Sequence, residues 1–99
     1  MSLRDQHVLI LGLGDSGLSM ARWCARQGAR VTVADTRAEP PHWTTLQAQY
    51  PTICLVTGDM GAQLVEGQDI RAVFKSPGLS PAEVAPVWQA ALAMGLWMG

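Results

Sequence analysis

Three short polar segments of this chain carry residue types that can hold an anion or a nucleotide. The first is a glycine triplet with G-x-G-x-x-G spacing, formed by Gly12, Gly14 and Gly17, and it follows an apolar run directly. Turns of this kind leave backbone N–H groups free at a helix N-terminus, where the helix dipole also favours negative charge. A glycine there lets an anion approach the backbone, because no Cβ stands in the way. The triplet therefore predicts a pyrophosphate-binding turn.

The other two segments are Asp35-Thr36-Arg37 and Ser76-Pro77-Gly78. Asp35 offers a carboxylate to a ribose hydroxyl or a base N–H, and Arg37 offers a planar cation that stacks on a base or pairs with a phosphate. Ser76 and the Gly78 backbone offer small polar contacts at close approach. A glycine triplet alone is weak support for a nucleotide site, but an acidic residue 18 positions after Gly17 strengthens it.

The elements that must position these segments alternate between strands and helices. The predicted strands are His7–Leu13, Arg30–Ala34 (running into Asp35), Thr52–Thr57, Ala72–Lys75 and Leu96–Met98. The predicted helices are Gly17–Gln27, His42–Tyr50, a short turn over 62–66, and a helix from Ser80 to about Met94. Such alternation implies right-handed crossovers and a parallel sheet. We therefore expect one α/β domain over residues 1–99, with a Rossmann-like, doubly wound parallel sheet of about five strands.

Serine residues mark the predicted starts of two helices. Ser16 is the expected N-cap of the first one, and Ser80 with Pro81 and Glu83 predicts a capping box. The last helix has an apolar face formed by Val84, Val87, Trp88, Ala91 and Leu92. All three polar segments follow strands, and ligands of open α/β sheets bind at the carboxyl ends of the strands. We therefore expect the three segments to meet at one edge of the sheet.

Composition narrows the class of protein. The 99 residues are 48% hydrophobic and 15% charged with a net charge of −1, which favours a globular domain without bulk attraction to nucleic acid or an anionic membrane. No apolar run is long enough for a membrane helix, and the charged N-terminus lacks a signal-peptide core, so we expect a cytoplasmic protein. Cys24 and Cys54 lack metal-ligand spacing and are expected to be reduced core or near-core thiols. Trp23, Trp88 and Trp97 are expected to pack in the core or against a neighbouring domain.

Taken in order, the polar segments resemble one known family over about residues 7–99. The matching residues are Gly12-Leu13-Gly14-Asp15-Ser16-Gly17-Leu18-Ser19, Asp35-Thr36-Arg37 with Pro40-Pro41, and Lys75-Ser76-Pro77-Gly78-Leu79. They resemble the N-terminal domain of the D-glutamate-adding members of the Mur ligase family, which act in peptidoglycan synthesis. The resemblance implies that this domain anchors the UDP moiety of UDP-N-acetylmuramoyl-L-alanine in an ATP-dependent ligase. In that family ATP converts the alanine carboxylate into an acyl phosphate. The amino group of D-glutamate then attacks, leaving an amide, ADP and phosphate.

The resemblance also assigns roles to residues. It implies Gly14, Asp15 and Ser16 at the pyrophosphate, Asp35, Thr36 and Arg37 at the uracil, and Ser76, Pro77 and Gly78 beside the ribose and phosphate. Asp15 places a carboxylate in a loop expected to hold an anion, so we expect backbone contact there with the side chain turned outward. ATP and Mg²⁺ would belong to a central domain outside these residues, so we expect no bound cofactor, no metal and no ligase activity from this chain alone.

Two alternatives use the same residues. A nicotinamide-dinucleotide (NAD) domain of a dehydrogenase or a redox-sensing regulator would need the same glycines and Asp35. It does not account for Arg37 or for Ser76-Pro77-Gly78, and no hydride-transfer residues accompany it. The other alternative is a scaffold or interaction domain without a ligand.

Overall fold

A five-stranded, all-parallel sheet with helices on both faces organises the computed structural model, which describes residues 2–99. Its strands are β1 (His7–Leu11), β2 (Arg30–Asp35), β3 (Cys54–Thr57), β4 (Ile70–Lys75) and β5 (Trp97–Met98). Its helices are α1 (Asp15–Arg26), α2 (Trp43–Gln49) and α3 (Pro81–Ala93), with a 3₁₀ turn at Ala62–Leu64. The strand order is β3-β2-β1-β4-β5, so the order reverses between β1 and β4. This confirms the predicted Rossmann-like, doubly wound α/β fold.

The central strand β1 is buried on both faces, as expected for the middle of a parallel sheet. Val8 and Ile10 face one apolar cluster together with α1 and α2, while Leu9 and Leu11 face a second cluster with α3 and the 3₁₀ turn. None of these four side chains is exposed. The sheet therefore fixes where β1 ends, and with it the position of the glycine turn.

The first strand and helix differ from the prediction at their junction. β1 ends at Leu11 rather than Leu13, because Gly12 adopts φ +92°, a left-handed conformation that leaves the strand. α1 starts at Asp15 rather than Gly17, and its first backbone bond runs from Leu18 N–H to the Gly14 carbonyl at 2.9 Å. The predicted Ser16 N-cap is therefore wrong, since the N-cap residue is Gly14 and Ser16 lies inside the first turn.

The start of α3 confirms the predicted capping box. Ser80 Oγ accepts the Glu83 amide at 3.3 Å, and Glu83 Oε2 accepts the Ser80 amide at 2.9 Å. The predicted apolar face of α3 is wrong at Leu92, whose side chain is 62% exposed.

The two cysteines differ in burial. Cys24 is buried, which raises the pKa of its thiol. Cys54 is exposed on the edge strand β3 and is not the near-core thiol expected.

Other predicted bounds shift by one or two residues. β3 starts at Cys54 rather than Thr52, β4 starts earlier, at Ile70, and α2 is one residue shorter at each end. Within residues 2–99 no helix has both the length and the apolar content needed to cross a bilayer.

Candidate nucleotide-binding cleft

The segments that follow β1, β2 and β4 meet at the carboxyl edge of the sheet and enclose a cleft of about 270 Å³. The cleft is lined by Gly12, Gly14, Asp35, Thr36, Arg37, Met60, Ser76, Gly78 and Leu79. Of the predicted site residues, Gly14, Asp35, Thr36, Arg37, Ser76 and Gly78 are among them. Asp15, Ser16 and Pro77 do not line the cleft: Asp15 and Pro77 are adjacent in the chain to lining residues, and Ser16 lies two positions after Gly14.

Two of the three motif glycines are required by the fold itself, Gly17 by packing and Gly12 by its φ of +92°. A Cβ at Gly17 would lie 1.8 Å from the Gly12 carbonyl oxygen, so only glycine lets α1 approach the turn this closely. A Cβ at Gly12 would lie 3.0 Å from Leu79 Cδ1 and 3.2 Å from Ser76 Cβ, so this glycine sits against the third segment. Gly17 is thus needed for the contact of α1 with the turn, and Gly12 for the left-handed backbone conformation of the turn, whether or not a ligand binds.

Gly14, unlike Gly12 and Gly17, has room for a side chain. Nothing lies within 4 Å of the position that a Cβ would occupy here, and its φ of −84° is accessible to any residue. As the N-cap of α1 it supplies no side-chain cap, so the first-turn amides of Asp15 and Ser16 receive no side-chain acceptor from residues 2–99. Open space in front of an uncapped helix N-terminus suits an anion.

The Asp15 carboxylate is directed away from this space. Its side chain is 99% exposed, and Oδ1 lies 2.7 Å from His42 Nε2 at the start of α2. A carboxylate near a helix N-terminus interacts favourably with the dipole. Here it does so without lining the cleft, in accordance with the outward orientation expected for Asp15.

Asp35 joins the first segment to the second. Its side chain is only 4% exposed, and its Oδ2 accepts the Leu13 amide at 2.9 Å and Arg37 Nη2 at 2.9 Å. Its Oδ1 accepts the Arg37 amide at 2.8 Å and Arg37 Nε at 2.9 Å. A carboxylate has about four acceptor positions. All of them are therefore used inside the protein, and a ligand could bond to Asp35 only by displacing one of these donors.

These bonds fix the charge of the pair. The hydrogen bond from the Arg37 side chain, followed by the amides of Arg37 and Leu13, lowers the pKa of Asp35 to about 2 against the opposing effect of burial. The same bond raises the pKa of Arg37. The Arg37 side chain is 52% exposed, so one side of its guanidinium is held by Asp35 while the group remains open to the cleft.

The third segment, Ser76-Pro77-Gly78, is held in place by a backbone hydrogen bond to β1 and by the side chain of Lys75. The Ser76 amide donates to the Leu11 carbonyl at 3.0 Å, which ties the turn to the end of β1. Lys75 Nζ donates to the Leu79 carbonyl at 2.9 Å and to the Ser76 carbonyl at 3.3 Å. Gly78, like Gly14, has open space for at least 4 Å around the position of a Cβ, so the turn leaves room at the cleft.

Met60 was not identified from the sequence, and Lys75 and Leu79 were noted there only as part of the matching motif, without a role in the site. Met60 follows β3, and because β3 ends at the same edge, the rule that located the other three segments points to its loop as well. Leu79 and Lys75 border the Ser76 turn, and their inward contacts carry no signal in the sequence. No group of three or more His, Cys, Asp or Glu side chains suited to a metal occurs in residues 2–99.

Fold and cleft together define the class: a Rossmann-like α/β domain with a polar cleft at the carboxyl edge of its parallel sheet. The model of one protein family, the Mur ligase MurD-like N-terminal domain, matches residues 6–98. This chain belongs to that family, whose ligases act in peptidoglycan synthesis.

Individual relatives agree with this assignment. The chain is 62% identical over 95 residues to the UDP-N-acetylmuramoylalanine–D-glutamate ligase of Albidiferax ferrireducens, covering 96% of this chain and 19% of that protein. It is 57% identical over 97 residues to the ligase of the same name from Polaromonas sp., covering 98% and 16%. A solved ligase from Neisseria meningitides, named as acting on UDP-N-acetylmuramate, superposes with a TM-score of 0.73 at 21% identity over 95% of this chain and 28% of that one, which shows the shared fold. The chain thus spans less than a fifth of the length of the two curated relatives.

Proposed function

We propose that this domain anchors the UDP moiety of UDP-N-acetylmuramoyl-L-alanine within a longer cytoplasmic ligase that adds D-glutamate. The supporting observation is that one cleft contains both the uncapped N-terminus of α1, behind Gly14, and the half-exposed Arg37 guanidinium. The first feature suits the pyrophosphate and the second suits a planar base. The name shared by the curated relatives supplies the identity of the substrate.

The three segments then divide the ligand between them. The amides after Gly14, with the Ser16 hydroxyl nearby, would meet the pyrophosphate, while Asp15 would contribute backbone only. Thr36 and Arg37 would hold the uracil. Ser76 and Gly78 would line the ribose and phosphate side, with Pro77 shaping the turn.

Asp35 takes a supporting part in this arrangement. All its acceptor positions are filled by Leu13 and Arg37, so it acts on the ligand by fixing the guanidinium and the glycine turn relative to each other. The same observation weakens the NAD alternative, in which an acidic residue at the end of the second strand accepts ribose hydroxyls.

The chemical step would be carried out by the remainder of the longer ligase. The resemblance to the Mur ligase family implies that ATP and Mg²⁺ would bind there. In the whole enzyme, this domain would position the alanine carboxylate for activation by holding the distant UDP end of the substrate. Binding energy from a non-reacting part of a substrate is a common means of positioning the reacting part.

A calorimetric titration of the chain with UDP, UDP-N-acetylmuramoyl-L-alanine and NAD tests the proposal. We expect saturable binding of the two uridine nucleotides and none of NAD. Arg37→Ala should weaken uridine-nucleotide binding at least about tenfold, which corresponds to ~1.4 kcal/mol. Arg71→Ala is the matched control, because it removes the same charge from an exposed position outside the cleft. Binding of NAD without binding of UDP, or equal losses in the two variants, would refute the assignment.

A further inference from the structure

A second surface, on the side of the sheet that carries α1 and α2, is apolar and open. Two adjoining hollows of about 390 and 160 Å³ share Trp23 and Phe74 in their walls. Together they form one groove, which we call the tryptophan groove and define by Leu3, Met20, Trp23, Phe74 and Trp97. Trp23 is 50% exposed and Trp97 is 52% exposed.

The groove lies where the doubly wound architecture lacks a covering element. α1 and α2 pack with β1 and β2 in the first apolar cluster, whereas α3 packs with the second cluster on the opposite face. Phe74 of β4 and Trp97 of β5 lie on the α1 side with ring centroids 5.4 Å apart, and no helix within residues 2–99 covers them. Parallel sheets are normally covered on both faces. We therefore expect a further element, about the size of a helix, to cover the groove.

We infer that the segment following Gly99 in the longer ligase packs into the tryptophan groove as an amphipathic helix. This inference rests on the proposed function only in taking the chain as the first domain of a longer protein. The matching family is described as an N-terminal domain, and the curated relatives are more than five times as long as the matched region. The additional polypeptide therefore continues from the C-terminal side of this domain.

The position of Gly99 brings that polypeptide to the groove. Its amide donates to the Val73 carbonyl at 2.9 Å, and its carbonyl accepts the Lys75 amide at 3.1 Å, so the backbone is still in register with β4. A Cβ at Gly99 would lie 3.1 Å from Phe74 Cδ1 and 3.1 Å from Trp97 Cζ3. The backbone thus passes close to both rings, and a continuing chain would leave Gly99 beside them.

The chemistry of the groove favours this occupant over a second copy of the chain. Arg26 lies at the wall of the larger hollow and is the charged residue among those that line the two hollows. A two-fold contact places the same patch on both partners and would bring two Arg26 side chains into one interface. A continuing helix with apolar residues toward the rings and an acidic residue toward Arg26 avoids that repulsion.

Hydroxyl-radical footprinting with mass spectrometry tests the inference. The oxidation rates of Trp23 and Trp97 are measured in the 99-residue chain and in the full-length ligase, with the exposed Met94 at the end of α3 as an internal reference. We expect both tryptophans to react at least fivefold more slowly, relative to Met94, in the full-length ligase. Equal relative rates in the two proteins would overturn the inference.

Paired variants and sedimentation test whether a second copy of the chain occupies the groove. Trp23→Ser should lower the melting temperature of the full-length ligase more than that of the 99-residue chain, whereas Leu92→Ser, an exposed apolar change on α3, should affect both alike. The 99-residue chain should sediment as a monomer. A dimer that Trp23→Ser dissociates would assign the groove to a second copy and overturn the inference. Because the groove and the cleft share no residue, loss of UDP binding with the tryptophans still protected would count against the proposed function alone.

Discussion

Asp35→Asn offers the sharpest test of how the cleft is assembled. The substitution keeps the size of the side chain but replaces one oxygen by an NH₂ group, which would face N–H donors from Arg37 or Leu13. A buried donor left without an acceptor costs about 1–3 kcal/mol. The substitution also removes the charged partner of the Arg37 guanidinium. The gap between the ordinary pKa of 3.8 and the value of about 2 corresponds to roughly 2 kcal/mol, an upper limit because Arg37 is half exposed.

We therefore expect Asp35→Asn to lower the free energy of unfolding by about 2–4 kcal/mol. For a domain of this size, 2 kcal/mol lowers the melting temperature by about 8–16 °C. The stabilisation by Asp35 decreases as the pH falls. Because the folded-state pKa of Asp35 lies below its unfolded value, its stabilisation is complete above pH 3.8 and is lost as the pH falls toward 2. The variant should lack this part of the acid destabilisation.

Asp69→Asn is the matched control. The pKa of Asp69 is likewise lowered to about 2, through hydrogen bonds to His7 and then Arg30, but its side chain is 62% exposed. Solvent screening should make its loss much less costly at neutral pH. Urea unfolding of both variants and of the parent chain, measured at pH 7 and between pH 2 and 4, separates the two positions. Equal destabilisation by the two substitutions would refute the argument that burial and saturated bonding give Asp35 its importance.

The remaining expectations concern the turns. Gly17→Ala should destabilise the domain by about 3 kcal/mol or more, because its methyl group would collide with the Gly12 carbonyl. Gly14→Ala should cost no more than about 1 kcal/mol yet weaken UDP binding, and equal unfolding midpoints for the two alanine variants would contradict this contrast. Ser80→Ala should cost about 1 kcal/mol through loss of the α3 cap, measured by thermal melting, with no change in UDP affinity. Lys75→Met should remove two hydrogen bonds to the third segment and lower both stability and UDP affinity, and unchanged affinity would show that the lysine does not position that segment.

Local rules were sufficient for much of the fold. The capping box at Ser80 was predictable because its partners are three residues apart, and strands alternating with helices were sufficient to predict a parallel sheet. The errors fall where a tertiary contact overrides a local preference. Ser16 is a good N-cap type, but the packing of Gly17 against Gly12 starts the helix two residues earlier. Leu92 fits the helical period, but within the described chain its side chain stays 62% exposed.

The location of the cleft followed from the sequence, whereas its internal bonding did not. Each predicted segment follows a strand, and the common edge of a parallel sheet brings the segments together. Of the four bonds of Asp35, three come from Arg37, two residues later, and the fourth comes from Leu13, 22 residues earlier in the chain. Likewise, the bond between His7 and Asp69 joins residues 62 positions apart. Residue types alone therefore suggested that Asp35 contacts a ligand. In the structure, all the acceptor positions of its carboxylate are filled by donors of the protein.

The space and the backbone conformation at each glycine show which glycines the fold requires and which only a bound ligand would require. Gly12 is required by its φ of +92° and Gly17 by its contact with the Gly12 carbonyl oxygen, so both would be needed even without a nucleotide. Gly14 and Gly78 have open space at the cleft and unstrained backbones, so the fold alone gives no reason to exclude a side chain there. Close approach by a ligand gives such a reason. The identity of that ligand must then be read from the side chains across the cleft, chiefly the Arg37 guanidinium in the orientation that Asp35 imposes.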